Sequence, residues 1–343
     1  MPAGFAGGLV FFMAVGVKPE PKASSAPGPK LNNAQKHAAA QMLRPTTALE
    51  TPPMPRPDAP ALLPVRKLSV DLASGFPRHW HGGDAFRTQL FNALSMSFPV
   101  GEQFFIDSVR NALERLDAGH PRHAEMRALA RGFTGQEATH RHIHGLYNAE
   151  LERQGLDNRW QHWSRARITF LHRRTAHPLH ALAITCAYEH FTALLADGTL
   201  RYPRWLDGAH APMQTVWRWH AAEETEHRAV AFDLYRALGG SNAWRVRWYL
   251  YVGLVFLVDA MRQTAINLRR DGHLWRPGTW LSALRFFWGR DGVAWRSLPA
   301  LLRYLRRDFH PDQEHAVPPA STLANEWLAA NADRLRVVGS GGA

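Results

Sequence analysis

Cysteine is almost missing from this chain: Cys186 is the single thiol in 343 residues. No intrachain disulfide can form, which fits a reducing cytosol better than a secreted framework, and no thiolate-rich structural zinc site can be built. Acidic residues are also scarce relative to basic ones, 29 against 41, leaving a formal net charge of +12. A chain this basic suits nucleic acid, an anionic membrane or an acidic substrate. For nucleic acid the usual supports are missing, since there is no zinc-finger spacing, RNP-like motif, or Walker-type or Rossmann glycine loop. No nucleic-acid partner is therefore expected. Alternating strand patterns are lacking too, as is any apolar run of the ~20 residues that a spanning helix needs.

What is present is helical periodicity. Residues 1–62 are rich in Pro, Ala and Ser and read as a disordered tail. Its opening, "GFAGGLVFFMAVGV", resembles a short signal h-region without a basic flank, and initiation at Met42 or Met54 explains it equally well. Residues 63–240 read as a helical bundle, 241–312 as an apolar, Arg- and Trp-rich helical extension, and 313–343 as a C-terminal tail. Helices are expected over 86–118, 121–154, 177–198, 208–238 and 243–271, with a shorter pair at 279–289 and 293–307. The fold class is all-α, with four of these helices forming the bundle.

A repeat carries the chemistry. Glu102 and Glu137 are 35 residues apart, and His140 follows Glu137 by three. Glu189 and Glu224 are also 35 apart, with His227 three further on, so all three pairs of equivalents differ by 87. Positions i and i+3 share a helix face, so each ExxH presents a carboxylate and an imidazole together. Two such helices plus one glutamate from each of two others make the ligand set of a ferritin-like di-metal centre. Its oxygen and nitrogen donors suit two iron (or manganese) ions.

The flanking residues test whether these side chains face inward. Steps of four and three give Phe98, Glu102, Phe105 and Val109 on the first helix. The next gives Ala130, Phe133, Glu137, His140, His144 and Tyr147; the third Leu182, Cys186, Glu189 and Ala193; the fourth Trp217, His220, Glu224, His227 and Ala231. Every proposed ligand lies in an otherwise apolar or neutral stripe, the face a helix normally buries. A lone buried glutamate is expensive, and four are tolerable only when paired or metal-bound. His144 and His220 lie one turn from the set and read first as hydrogen-bonded core histidines, with outer-sphere neighbours or additional ligands as the alternative. Tyr147 and Cys186 read as packed core residues, or as further neighbours of the site. Glu223 and Glu226 fall off the stripe and are expected either to face solvent or to stand behind the ligands as outer-sphere neighbours. In "HWHGGD", Asp84 is the expected N-cap of the first helix and the two histidines are given structural roles.

The stretches "HWHGGDAFRTQLFNALSMSFPVGEQFFIDSVR", "GQEATHRHIH", "AYEHFTALLA", "WHAAEETEHRAVAFDLY" and "LRRDFHP" together resemble a bacterial family known as predicted metal-dependent hydrolases. The resemblance covers roughly residues 65–312 and includes all six candidate ligands. It implies hydrolysis, whereas the ligand residues themselves resemble ferritin-like di-iron proteins, which commonly activate dioxygen. The apolar stripe (Phe98, Phe105, Phe133, Trp217) tips the expectation toward O2-dependent oxidation of a small apolar substrate. Two-metal hydrolysis and a non-enzymatic metal-binding or membrane-associated role are the alternatives.

"WYLYVGLVFLV" (248–258) is an 11-residue apolar run bounded by Arg245, Arg247 and Arg262. Such runs usually mean burial, so a helix that covers the bundle or a homodimer interface is expected. The alternative is peripheral contact with an anionic membrane, and the expected location is the cytoplasm, or the cytoplasmic face of the inner membrane.

Overall fold

The computed structural model describes residues 63–338, apart from 176 and 314. The tail expected over residues 1–62 lies outside the described residues.

The described chain is mostly helical. A short strand, β1 (Arg66–Leu68), precedes α1 (Ala85–Leu113), α2 (His123–Arg153) and α3 (Trp160–Arg174). Next come α4 (Pro178–Arg201), α5 (Ala211–His227) and α6 (Val230–Ala237). The extension contains α7 (Asn242–Arg270), α8 (Pro277–Trp288) and α9 (Val293–Arg303), followed by α10 (Ala320–Ala330). Strand β2 (Leu335–Val337) then returns to pair antiparallel with β1, Arg66 opposite Val337.

Local chemistry sets the ends of the long helices. Asp84 caps α1, its carboxylate accepting from the Arg87 amide at 2.9 Å, and Ser241 caps α7 in the same way. Pro99 stands inside α1, one turn before Glu102, and cannot donate to the carbonyl of Ser95. Asn148 of α2 fills that gap, its Nδ2 donating to the Ser95 carbonyl at 3.0 Å. The side-chain bond therefore ties α1 to α2 where the helix would otherwise weaken.

Helices α1 and α2 pack along each other, α4 packs on α1 and α5, and α7 lies across α1 and α4. Apolar clusters fill the space between them, around Phe91, Met96, Tyr147 and Trp217 on one side and Val109, Phe133, Leu182 and Leu234 on the other.

The chain departs from expectation in four places. The helix expected over 208–238 breaks at Arg228 and Ala229, directly after His227. Helix α3 occupies a stretch where no helix is expected; only Trp160 in it is buried, so its arginines and histidines obscure the period. The segment expected as a C-terminal tail holds α10, whose Ala324 and Leu328 pack on Ala222 of α5. Finally, the apolar run of α7 is only half buried: Trp248, Tyr249, Val252 and Val255 face the bundle, whereas Leu250, Leu254 and Leu257 are exposed.

Candidate metal centre

The four helices bring Glu102 (α1), Glu137 and His140 (α2), Glu189 (α4), and Glu224 and His227 (α5) together, and all six side chains are buried. His227 Nε2 lies 3.3 Å from Glu137 Oε1, 3.6 Å from Glu189 Oε2 and 3.4 Å from Glu224 Oε2. His140 Nδ1 lies 3.6 Å from the other oxygen of Glu224. Donor atoms of Glu102, Glu137 and His140 fall within 4.8 Å of one another, as do those of Glu137, Glu189, Glu224 and His227. Glu137 thus belongs to both groups, and Glu224 turns one oxygen toward each histidine. These two are equivalents under the 87-residue repeat.

The hydrogen-bond inventory tests whether these groups fit a cation. Both carboxylate oxygens of Glu102, Glu137 and Glu189, together with Glu224 Oε2, are buried without a hydrogen-bond partner. So are His140 Nδ1 and His227 Nε2, the ring nitrogens aimed into the cluster. Buried polar atoms in folded proteins are nearly always satisfied, and so many unsatisfied acceptors facing one another are destabilising unless a cation lies among them. Carboxylate oxygen with imidazole nitrogen is a donor set suited to divalent iron, manganese or zinc. The residues fit a metal.

Electrostatics lead to the same place. Burial, reinforced by the neighbouring Glu224, pushes the carboxyls of Glu102, Glu137 and Glu189 well above the ordinary range. Glu224 is held well below it, because His227 and His220 outweigh its own desolvation. Burial and the adjacent His220 lower His140, keeping the imidazole neutral, the form that ligates metals.

Each histidine is oriented from behind by a residue of the opposite helix. His140 Nε2 bonds Glu223 Oε2 at 3.0 Å, and His227 Nδ1 bonds Gln136 Oε1 at 3.0 Å. Gln136 and Glu223 are themselves 87 residues apart, each directly preceding its helix's glutamate ligand candidate. The repeat therefore extends by one residue and crosses between the helices. A hydrogen bond to the outer nitrogen fixes the tautomer and leaves the inner nitrogen's lone pair free.

Of the two places expected for Glu223 and Glu226, the structure shows the one behind the ligands and not a solvated face. Glu223 is fully buried and Glu226 half-buried, because the segment leading into β1 covers that side of α2 and α5. Gly132 and Gly135 permit this approach: a Cβ at either would stand 2.4 Å from Leu63 Cβ or 2.3 Å from Val65 Cγ2. Arg66 then reaches Glu223 at 3.2 Å and Glu226 at 2.7 and 2.9 Å. Glu226 in turn accepts from Gln136 Nε2 at 2.8 Å. Burial pushes the Glu223 carboxyl up to about 8 against the opposing pull of Arg66. One guanidinium thus anchors the partners of both histidines. Sequence periodicity missed Arg66, and the signal that could have found Gln136 and Glu223 was the repeat itself, shifted by one position.

The remaining expected neighbours separate into two kinds. His220 Nε2 bonds Glu224 Oε1 at 2.9 Å, its Nδ1 meets His144 Nε2 at 2.7 Å, and His144 Nδ1 meets Ser95 Oγ at 2.9 Å. His220 also completes metal-capable groups with His140 and Glu224 and with Glu102 and His144. Tyr147 instead donates to Asn92 Oδ1 at 2.7 Å, and Cys186 packs in the apolar cluster with Leu182 and Val109. Burial pushes the phenol and the thiol up, so both stay neutral. Outside the centre, His81 Nε2 bonds the Trp205 carbonyl, and His79 Nε2 bonds Asp271 in a further group of metal-capable side chains that His273 completes.

Aromatic rings enclose the cluster: Phe98 packs on His144 and His220, Phe133 on His227, and Trp219 on His140. A cleft of about 410 Å³ lined by Ser108, Asn111, Arg115 and His172 opens elsewhere, between α1, α3 and the start of α4.

Comparison with curated proteins and with solved structures returns no match. Residues 64–315, well over half of the chain, match the family described as predicted metal-dependent hydrolase, and the chain belongs to that family.

Proposed function

We propose that this chain is a metal-dependent enzyme whose buried cluster of four glutamates and two histidines holds a pair of divalent cations, with hydrolysis as the first reaction to test. The observation that carries the metal reading is the set of buried, unpartnered oxygens and ring nitrogens facing one another across four helices. Glu102 and His140 would hold one cation and Glu189 and His227 the other, with Glu137 and Glu224 shared between them. Iron or manganese suits this oxygen-rich set. The pattern of two ExxH helices and two single-glutamate helices supports a ferritin-like bundle.

When bound, the pair would supply Lewis-acid polarisation of a carbonyl or phosphoryl group, the hydrolytic use of two metals. The chain's own residues fix the ligands. Glu223 and Gln136 hold the histidine rings, Arg66 holds Glu223 and Glu226, and His220 stabilises ionised Glu224. Phe98, Phe133 and Trp219 exclude water around them.

Oxidation of a small apolar molecule with O2 by a di-iron form is the second reading. The aromatic surround favours it, while the family description names hydrolysis and lends it no support.

Metal analysis of protein purified without chelator is the first test, with two ions per chain expected. Mn- or Zn-dependent cleavage of ester or phosphoester substrates then supports hydrolysis. Near-UV or visible bands on admitting O2 to anaerobically Fe(II)-loaded protein, without any such cleavage, would overturn hydrolysis in favour of oxidation.

A further inference from the structure

Helix α7 buries a mixed face and exposes an apolar one. Beside Trp248, Tyr249, Val252 and Val255, its buried side carries polar groups: Arg245 bonds the carbonyls of Tyr304 and Arg306, Asp259 pairs with Arg167, and Gln263 Nε2 donates to the Asp157 carbonyl at 2.9 Å. Arg245, Asp259, Gln263 and Asn267 are all buried. Its outward side carries Leu250, Leu254, Leu257 and Met261, spaced four, three and four apart on one stripe, and 58%, 50%, 54% and 56% exposed. A helix on the surface of a water-soluble domain keeps its outward side polar. By length and composition α7 could cross a membrane, but its polar side is bonded to the bundle, so the apolar stripe is left facing outward along the helix.

The next two helices continue the pattern. Trp280, Leu284 and Trp288 are exposed on α8, as are Trp295, Leu298 and Leu302 on α9. Tyr249 of α7 stacks on Tyr304 at 4.2 Å and donates to the Leu301 carbonyl at 3.0 Å, so the end of α9 is tied back to the start of α7. Charge completes the picture. Residues 242–307 contain three acidic residues, Asp259, Asp271 and Asp291. Each is already paired, with Arg167, Arg78 and Arg296 respectively. Arg269, Arg276, Arg285, Arg290 and Arg307 are exposed and make no ion pair among the described residues.

We propose that the α7–α9 layer is a monotopic docking surface for an anionic lipid bilayer. The leucine stripes would enter the acyl boundary, the tryptophans would sit at headgroup depth, and the arginines would meet lipid phosphates. Charge decides between this occupant and a second copy of the chain. A two-fold contact through this face would set unpaired arginines against arginines, whereas an anionic bilayer supplies the opposite sign. The inference does not depend on which reaction the metal centre performs.

Vesicle flotation of the full chain tests it, using phosphatidylcholine alone or mixed with phosphatidylglycerol, at low and high salt. Wild type should float with the mixed vesicles, and its tryptophan emission should be quenched by brominated acyl chains, a readout that needs no variant. Leu254→Asp with Leu257→Asp should weaken binding about tenfold or more. Arg285→Glu with Arg290→Glu should remove about a tenfold preference for anionic over neutral vesicles. Circular dichroism melts check that the variants fold. Absence of both flotation and quenching at low salt would overturn the proposal. So would a concentration-dependent dimer, without vesicle binding, that Leu254→Asp converts to monomer.

Discussion

The centre of the bundle and the α7–α9 layer violate the usual rule of burial in opposite directions. At the centre, carboxylates are buried without partners; in the layer, leucines and tryptophans face outward. Each arrangement is unfavourable in the chain alone, and each would become favourable with the partner proposed for it. Unsatisfied oxygens suit cations, and for the exposed apolar stripes we propose an anionic bilayer. The comparison teaches that a misplaced side chain is informative when its neighbours are misplaced in the same way. One buried glutamate would be a defect, whereas four brought together with two imidazoles could hold a metal.

If the two regions are separate devices, substitutions in one leave the other untouched. The largest effect is expected at Glu137, which belongs to both ligand groups. In the wild-type protein, metal at a thousandfold excess over Kd should add about 4 kcal/mol to stability. Glu137→Ala should lose most of that gain while its vesicle binding stays at the wild-type level, as thermal melts with and without metal and vesicle flotation will show.

Next in size is the pH dependence of the metal-free protein. Glu102, Glu137 and Glu189 are raised in the folded state, chiefly by burial, so the folded chain holds protons that the unfolded chain has released. Stability without metal should therefore fall as pH rises from the ordinary carboxylate range toward the raised values. Metal replaces the protons, so loading should flatten the slope and release protons on binding. Urea titrations across pH check the first effect, and calorimetry in buffers of different ionisation enthalpy checks the second.

Smaller effects belong to the residues behind the histidines. Gln136→Ala and Glu223→Ala should each weaken metal binding about 10- to 100-fold. Glu223→Gln keeps a hydrogen-bond acceptor for His140 and should lose less. Equal losses for Glu223→Ala and Glu223→Gln in competition with a chelator would show that Glu223 acts by charge and not by orienting the ring. The smallest change is predicted for Leu254→Asp, which should leave metal content unaltered and shift stability by no more than about 0.5 kcal/mol, since the side chain is exposed.

The convergence of Glu102, Glu137, His140, Glu189, Glu224 and His227 was legible in the sequence because spacing within a helix determines the face, and the 87-residue repeat marked which glutamates to align. The segment that covers the centre was not legible. β1 pairs with β2 from the far end of the chain, and three-residue strands leave no periodic signature. Without that cover Glu223 reads as solvated, and Arg66 has no local pattern at all. Composition identified the apolar run of α7 but not its direction, because inward Arg245, Asp259 and Gln263 are satisfied by tertiary bonds that no local window reveals.

The central claim is that the buried carboxylates exist to hold a pair of metals, and metal content tests it most directly. Elemental analysis of the chain purified without chelator should give two ions per chain, falling to one or none in Glu137→Ala and Glu224→Ala. A wild-type protein that neither carries nor takes up metal, or variants with unchanged metal content, would contradict the account.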